Sequence, residues 1–231
     1  MLFFERELSR LRKSVLAEAA MVETALDHAI RAFIERNEEL AKGVVEADKS
    51  IDEMEIEIEE ECLKILALHH PVAGDLRFIV TVLKMNNDLE RMGDITVSIA
   101  RRAMFLCKSG CTLTMPAEFE EMTSTVRLML KQALDSLIKQ DQPLAIRTIE
   151  MDDRVDELKR IIGNQIRMRV VEAKEDSQML LKMLDTTRHL ERIADLATNI
   201  CEDVLYLVRG EIVRHQELAE PHPSPLKANF K

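Results

Sequence analysis

Residues 88–94 read DLERMGD, and residues 189–195 read HLERIAD. In each heptad a glutamate stands four residues before an aspartate: Glu90 and Asp94, then Glu191 and Asp195. On a helix such residues are surface neighbours, and like charges there repel by a few tenths of a kcal/mol. One such pair arises by chance on any acidic surface. A repeated pair in a repeated context needs a cause.

The surroundings supply one. HAIRAFIERNEELA (28–41) aligns with QALDSLIKQDQPLA (132–145), and EADKSIDE (46–53) with EMDDRVDE (150–157), both at an offset of 104 residues. At the two LER motifs the offset is 101, so the second copy has a hairpin connection three residues shorter. Helical periodicity runs through both copies, with helices expected at 4–40, 42–69, 75–108, 117–140, 143–173 and 177–209. Breaks are expected at Gly43, HHPVAGD (69–75), KSGCTLTMP (108–116), DQP (141–143) and AKED (173–176). The reading is all-α: two tandem, pseudo-symmetric three-helix bundles. Residues 1–112 form the first bundle and 113–212 the second, with Pro116 at the boundary and a Pro-containing flexible tail over 213–231.

Composition agrees and narrows the function. The 231 residues are 46% hydrophobic and 32% charged, with no Trp, one Tyr and six Gly, which favours helices over strands and turns. A net charge of −10 argues against nucleic acid as a partner. No apolar run is long enough to span a bilayer, and the N-terminus lacks the apolar stretch of a secretion signal. Cys62, Cys107, Cys111 and Cys201 are scattered and read as reduced thiols, so a cytoplasmic protein is expected.

The aligned segments carry a second acidic spacing, Asp48/Asp52 and Asp152/Asp156. Short connections make the second and third helices of each copy antiparallel neighbours. Counting outward from the turns, each helix-two pair lies within ~3 Å in height of its helix-three pair. Each hairpin thus places four acids at one level, beside the core seam. Four carboxylates so close do not all stay charged cheaply; they share protons or hold a cation. All-oxygen ligation suits magnesium, manganese, calcium or iron. Further oxygen ligands follow at Ser98 in copy one and at Asn199, Glu202 and Asp203 in copy two. The competing reading is a solvated face in which Arg91 and Arg192 bridge the acids.

PVAGDLRFIVTVLKMNNDLERMGDITVSIARRA (71–103) and TTRHLERIADLATNICEDVLYLVRGEIVRH (186–215) closely resemble the two signature helices of the PhoU family, the phosphate-transport accessory proteins. The likeness covers most of residues 5–215. It implies two three-helix bundles and multinuclear iron, manganese or magnesium. These would bind through Asp48, Asp52, Glu90, Asp94, Asp152, Asp156, Glu191 and Asp195, with Asn199 beside them. It implies a homodimeric cytoplasmic regulator that restrains phosphate uptake and the phosphate-starvation response. Its partners would be the ATPase subunit of a phosphate ABC transporter and a membrane sensor histidine kinase, so it would meet the membrane only through them. Arg101 and Arg102 stand where copy two has Glu202 and Asp203, which implies a weaker first site.

Two enzymatic readings fare worse. A di-iron oxidase needs Glu-x-x-His motifs, and none occurs; His189 has the wrong spacing, and His28, His69 and His70 read as surface or structural. A metallophosphatase needs a phosphate cradle, and no Gly-rich loop provides it. The remaining alternative is a carboxylate-cluster metal store with no signalling role.

Overall fold

The computed structural model describes residues 2–109, 114–172 and 176–210. Helices α1 (Leu2–Glu35), α2 (Glu38–His69) and α3 (Ala73–Ser109) pack together as one bundle. The second bundle comprises α4 (Ala117–Lys139), α5 (Gln142–Glu150), α6 (Asp152–Glu172) and α7 (Ser177–Arg209). The boundary expected at 112/113, Cys111 and the tail over 213–231 lie outside the described residues. Among the described residues, no helix is long and apolar enough to cross a membrane.

The first helix ends earlier than its periodicity suggests. It stops at Glu35 because Arg36 turns left-handed (φ 55°) and Asn37 becomes an N-cap. The Leu40 N–H donates to Asn37 Oδ1 at 3.0 Å. Gly43, where a break was expected, lies inside α2. A satisfied cap is worth about 1 kcal/mol, comparable to the cost of a helical glycine, so the asparagine sets the boundary. The same junction recurs in copy two. Gln140 turns left-handed (φ 51°), and the Leu144 N–H donates to Asp141 Oδ1 at 3.0 Å.

The helix expected over 143–173 is interrupted at Met151, which stays right-handed (φ −72°, ψ −18°). α5 and α6 together occupy the place that α2 holds in the first bundle.

The bundles meet along α3 and α7, with α1 against α4 as a second contact. Lys84 pairs with Asp203 (3.2 Å), Arg102 with Asp185 (3.6 Å), and Lys182 lies over the Phe105 ring (5.3 Å). Residue numbers rise on α3 as they fall on α7, so the helices are antiparallel and Gly93 lies level with Ala194. The seam therefore runs past both LER motifs. Phe33 and Phe119 stack at 5.7 Å between α1 and α4, and one continuous apolar core spans both bundles. On α3, Ile79, Val82, Leu89, Gly93, Thr96 and Ala100 are buried, as their spacing suggests, while Leu83 is only partly covered.

Candidate metal centre

The acids of each copy form a ladder between antiparallel helices. In copy one, Asp48 of α2 lies opposite Asp94 of α3, and Asp52 lies opposite Glu90. Burial raises the pKa of Asp48, with the charges of Asp52 and Asp94 adding to it; Arg101 opposes them. Burial likewise raises Glu90, followed by Asp94, Asp52, Glu55 and Asp48. Such mutual influence requires the side chains to share one small region.

Copy two repeats the ladder, with Asp152 opposite Asp195 and Asp156 opposite Glu191. Burial and then Asp195, Asp156 and Glu191 push Asp152 up to about 6. Burial also raises Asp195, aided by Glu191 and Asp156. Asp52, Asp94, Asp156 and Asp195 are exposed, whereas Asp48, Glu90, Asp152 and Glu191 are half-buried. Each cluster thus has a covered side and a wet side. Asn199 follows Asp195 by one turn on α7 and is half-buried.

Arg91 and Arg192 do not bridge these acids. Neither makes an ion pair with another described residue, and both line a cleft on the seam. In copy two the bridging cation is Lys159 of α6. Its Nζ donates to Glu191 Oε1 at 2.6 Å and to Asp156 Oδ1 at 3.0 Å. At an offset of 104, Lys159 corresponds to Glu55, so copy one has a further acid where copy two has its neutralising amine.

The first cluster also reaches α1. Glu18 is fully buried, and neither carboxylate oxygen has a hydrogen-bond partner. Burial, then Glu55 and Glu90, push it up to about 8, so it is protonated at neutral pH. Its repeat equivalent is Met122, an apolar residue that is equally buried.

The donors suit a hard cation: oxygen atoms only, several of them mutually destabilising, and an ammonium already seated in one copy. Among the described residues, no three His, Cys, Asp or Glu side chains converge closely enough to cage an ion as they stand. Exposed carboxylates such as Asp52 and Asp94 have the rotamer freedom to close on one. Asp203, expected among the outer ligands, is instead buried and paired with Lys84 across the seam. Ser98 accepts at its backbone oxygen from Arg102 Nη1 at 2.7 Å and lines the same cleft as Arg91.

Among the described residues, no histidine joins the acids of either ladder. His69 meets Glu7 at 2.5 Å and packs near the rings of Phe3 and Phe4, tying α1 to the end of α2. Burial, then Arg102 and Arg192, hold the His189 imidazole neutral, with its pKa near about 4. Cys62, Cys107 and Cys201 are free thiols.

Residues 15–103 and 119–204 each match the PhoU domain, and the two matches fall on the two halves of the repeat. The chain belongs to the PhoU family. It is 35% identical over 208 residues to the phosphate-specific transport system accessory protein PhoU homolog 1 of Thermotoga maritima, covering 90% of both chains. It is 34% identical over 212 residues to the phosphate-specific transport system accessory protein PhoU of Escherichia coli, covering 92% of this chain and 88% of that one. The crystal structure of PhoU from Pseudomonas aeruginosa superposes with a TM-score of 0.87 at 37% identity, covering 90% of this chain and 100% of that one. The PhoU fold thus accounts for the paired bundles, while Glu18, Glu55 and Lys159 distinguish the two acid clusters within this chain. Sequence reading missed these three, although the 104-residue offset sets Glu18 against Met122 and Glu55 against Lys159.

Proposed function

We propose that this PhoU protein is a cation-binding regulator of phosphate transport that works by docking and catalyses no reaction. The observation that carries the reading is the pair of facing acid ladders, one per bundle, on a scaffold whose relatives are phosphate-specific transport system accessory proteins. Asp48, Asp52, Glu90 and Asp94 hold the cation of the first cluster. Asp152, Asp156, Glu191 and Asp195 hold that of the second, with Asn199 alongside. The ions are magnesium, manganese or iron, singly or as small clusters. A bound cation supplies neutralising charge between the second and third helices of each bundle. The protein's own residues do the rest: the facing carboxylates of each ladder lose their mutual repulsion.

The first cluster is the more demanding of the two. Glu55 and Glu18 add acids there, whereas Lys159 already relieves the second. This opposes the expectation, based on Arg101 and Arg102, that the first site is the weaker. In the cell the protein acts as a cytoplasmic, homodimeric negative regulator between a phosphate transporter's ATPase subunit and a sensor kinase.

The test is complementation of a strain lacking the protein with wild type or with a variant carrying Glu90→Gln, Asp94→Asn, Glu191→Gln and Asp195→Asn. Wild type should repress a phosphate-starvation reporter in rich phosphate, and the folded variant should not. A variant that represses fully would overturn the cation requirement. A wild type without effect on the reporter would overturn the regulatory role and leave a metal store.

A further inference from the structure

The cleft on the α3–α7 seam holds a chemistry that the acid ladders do not explain. It has a volume of about 290 Å³ and gathers Arg91, Arg101, Arg192 and His189, with Asp48 and Asp94 on its wall. None of the three arginines makes a hydrogen bond or ion pair with another described residue. The Nδ1 atom of His189 is buried and also lacks a partner. Three unpaired guanidinium groups drawn into one concavity repel each other, and a surface helix has every opportunity to pair them with acids. Planar guanidinium groups match tetrahedral oxyanions through paired N–H donors.

The pseudo-symmetry provides an internal control. Arg91 and Arg192 are equivalent, so both lie near the axis relating the bundles. At the 101-residue offset, the equivalents of Arg101 and His189 are the acids Glu202 and Asp88. The full basic set is thus not duplicated, so the cluster is not a by-product of the repeat.

We propose that this cleft binds a phosphate-class oxyanion through Arg91, Arg101 and Arg192, with His189 as an additional donor. Three guanidinium charges face two carboxylates, so the cleft is positive without any cation. A cation taking up Asp48 and Asp94 removes the opposing charge, and the anion then binds more tightly. The two ligands are coupled, each raising the affinity for the other. This coupling rests on the cation reading above, whereas anion binding to the metal-free protein does not.

The test is calorimetric titration of full-length, chelator-treated protein with orthophosphate, with glycerol phosphate and with sulfate, repeated in excess magnesium. Orthophosphate should bind saturably, and Arg101→Ala with Arg192→Ala should weaken it about tenfold or more while leaving helical content unchanged. Magnesium should tighten it about tenfold. Preference for glycerol phosphate would keep the site and identify a phosphomonoester as its ligand. Absence of saturable binding by either phosphate, or an unaffected double variant, would overturn the proposal. Sulfate binding as tightly as phosphate would reduce the site to an unselective anion patch and also overturn it. Phosphate binding with no magnesium effect would refute the coupling alone.

Discussion

Replacing Glu18 by methionine should stabilise the metal-free protein, and by more as the pH rises. Glu18 is fully buried with both oxygens unpartnered, and its pKa moves from an ordinary 4.5 to about 8. The folded state therefore holds a proton that the unfolded state releases above pH 4.5. Below that pH both states are protonated and the group has no pH-dependent effect. Between 4.5 and about 8 the folded state binds more protons, so stability falls as pH rises; above 8 the full penalty stands. At about 1.4 kcal/mol per pH unit, the cost is roughly 3 kcal/mol at pH 7 and approaches about 5 kcal/mol at pH 9. Methionine removes it and fills the space with the residue that copy two uses at Met122. Urea unfolding in chelator at pH 5, 7 and 9 measures this. The variant should differ little from wild type at pH 5 and exceed it by several kcal/mol at pH 9. Glu18→Gln should gain less, because its amide still lacks partners. Curves for wild type and Glu18→Met that stay parallel from pH 5 to 9 would refute the reasoning.

Three other outcomes follow from the same geometry. Lys159→Met should cost the metal-free protein about 1 kcal/mol, since the amine is partly exposed, yet raise the manganese affinity of the second cluster, read by titration calorimetry. Cation affinity of the second cluster should fall as pH drops from 7.5 to 5.5, because Asp152, with its pKa at about 6, then takes up a proton; thermal shifts with and without manganese at each pH report it. Asn37→Ala and Asp141→Ala should each cost about 1 kcal/mol in urea unfolding, equal effects at matched points of the repeat.

The repeat and the helical class were legible because two copies of one pattern reinforce each other. That each hairpin sets its four acids at one level followed from helix rise and turn position alone; which acid lies opposite which did not. Boundaries were less legible. Gly43 looks like a break by propensity, but the left-handed Arg36 and the Asn37 cap decide the matter in three dimensions. The role of Arg91 and Arg192 was also hidden. Sequence places them beside the acids, whereas the antiparallel α3–α7 seam turns them into the cleft. Asp203 continues the acidic run on paper, and only the docking of the two bundles brings Lys84 to it. The level of the acids within each hairpin could be read; the helix boundaries and what depends on the meeting of the bundles could not.

The most direct test of cation binding is metal content per chain. The protein would be expressed with iron, manganese and magnesium present, purified without chelator, and assayed by elemental mass spectrometry. The comparison is the variant carrying Glu90→Gln, Asp94→Asn, Glu191→Gln and Asp195→Asn. Stoichiometric metal in the wild type, lost in a variant that keeps its helical spectrum, is the result predicted here. Negligible and equal metal in both would contradict it and leave the ladders as charged surface.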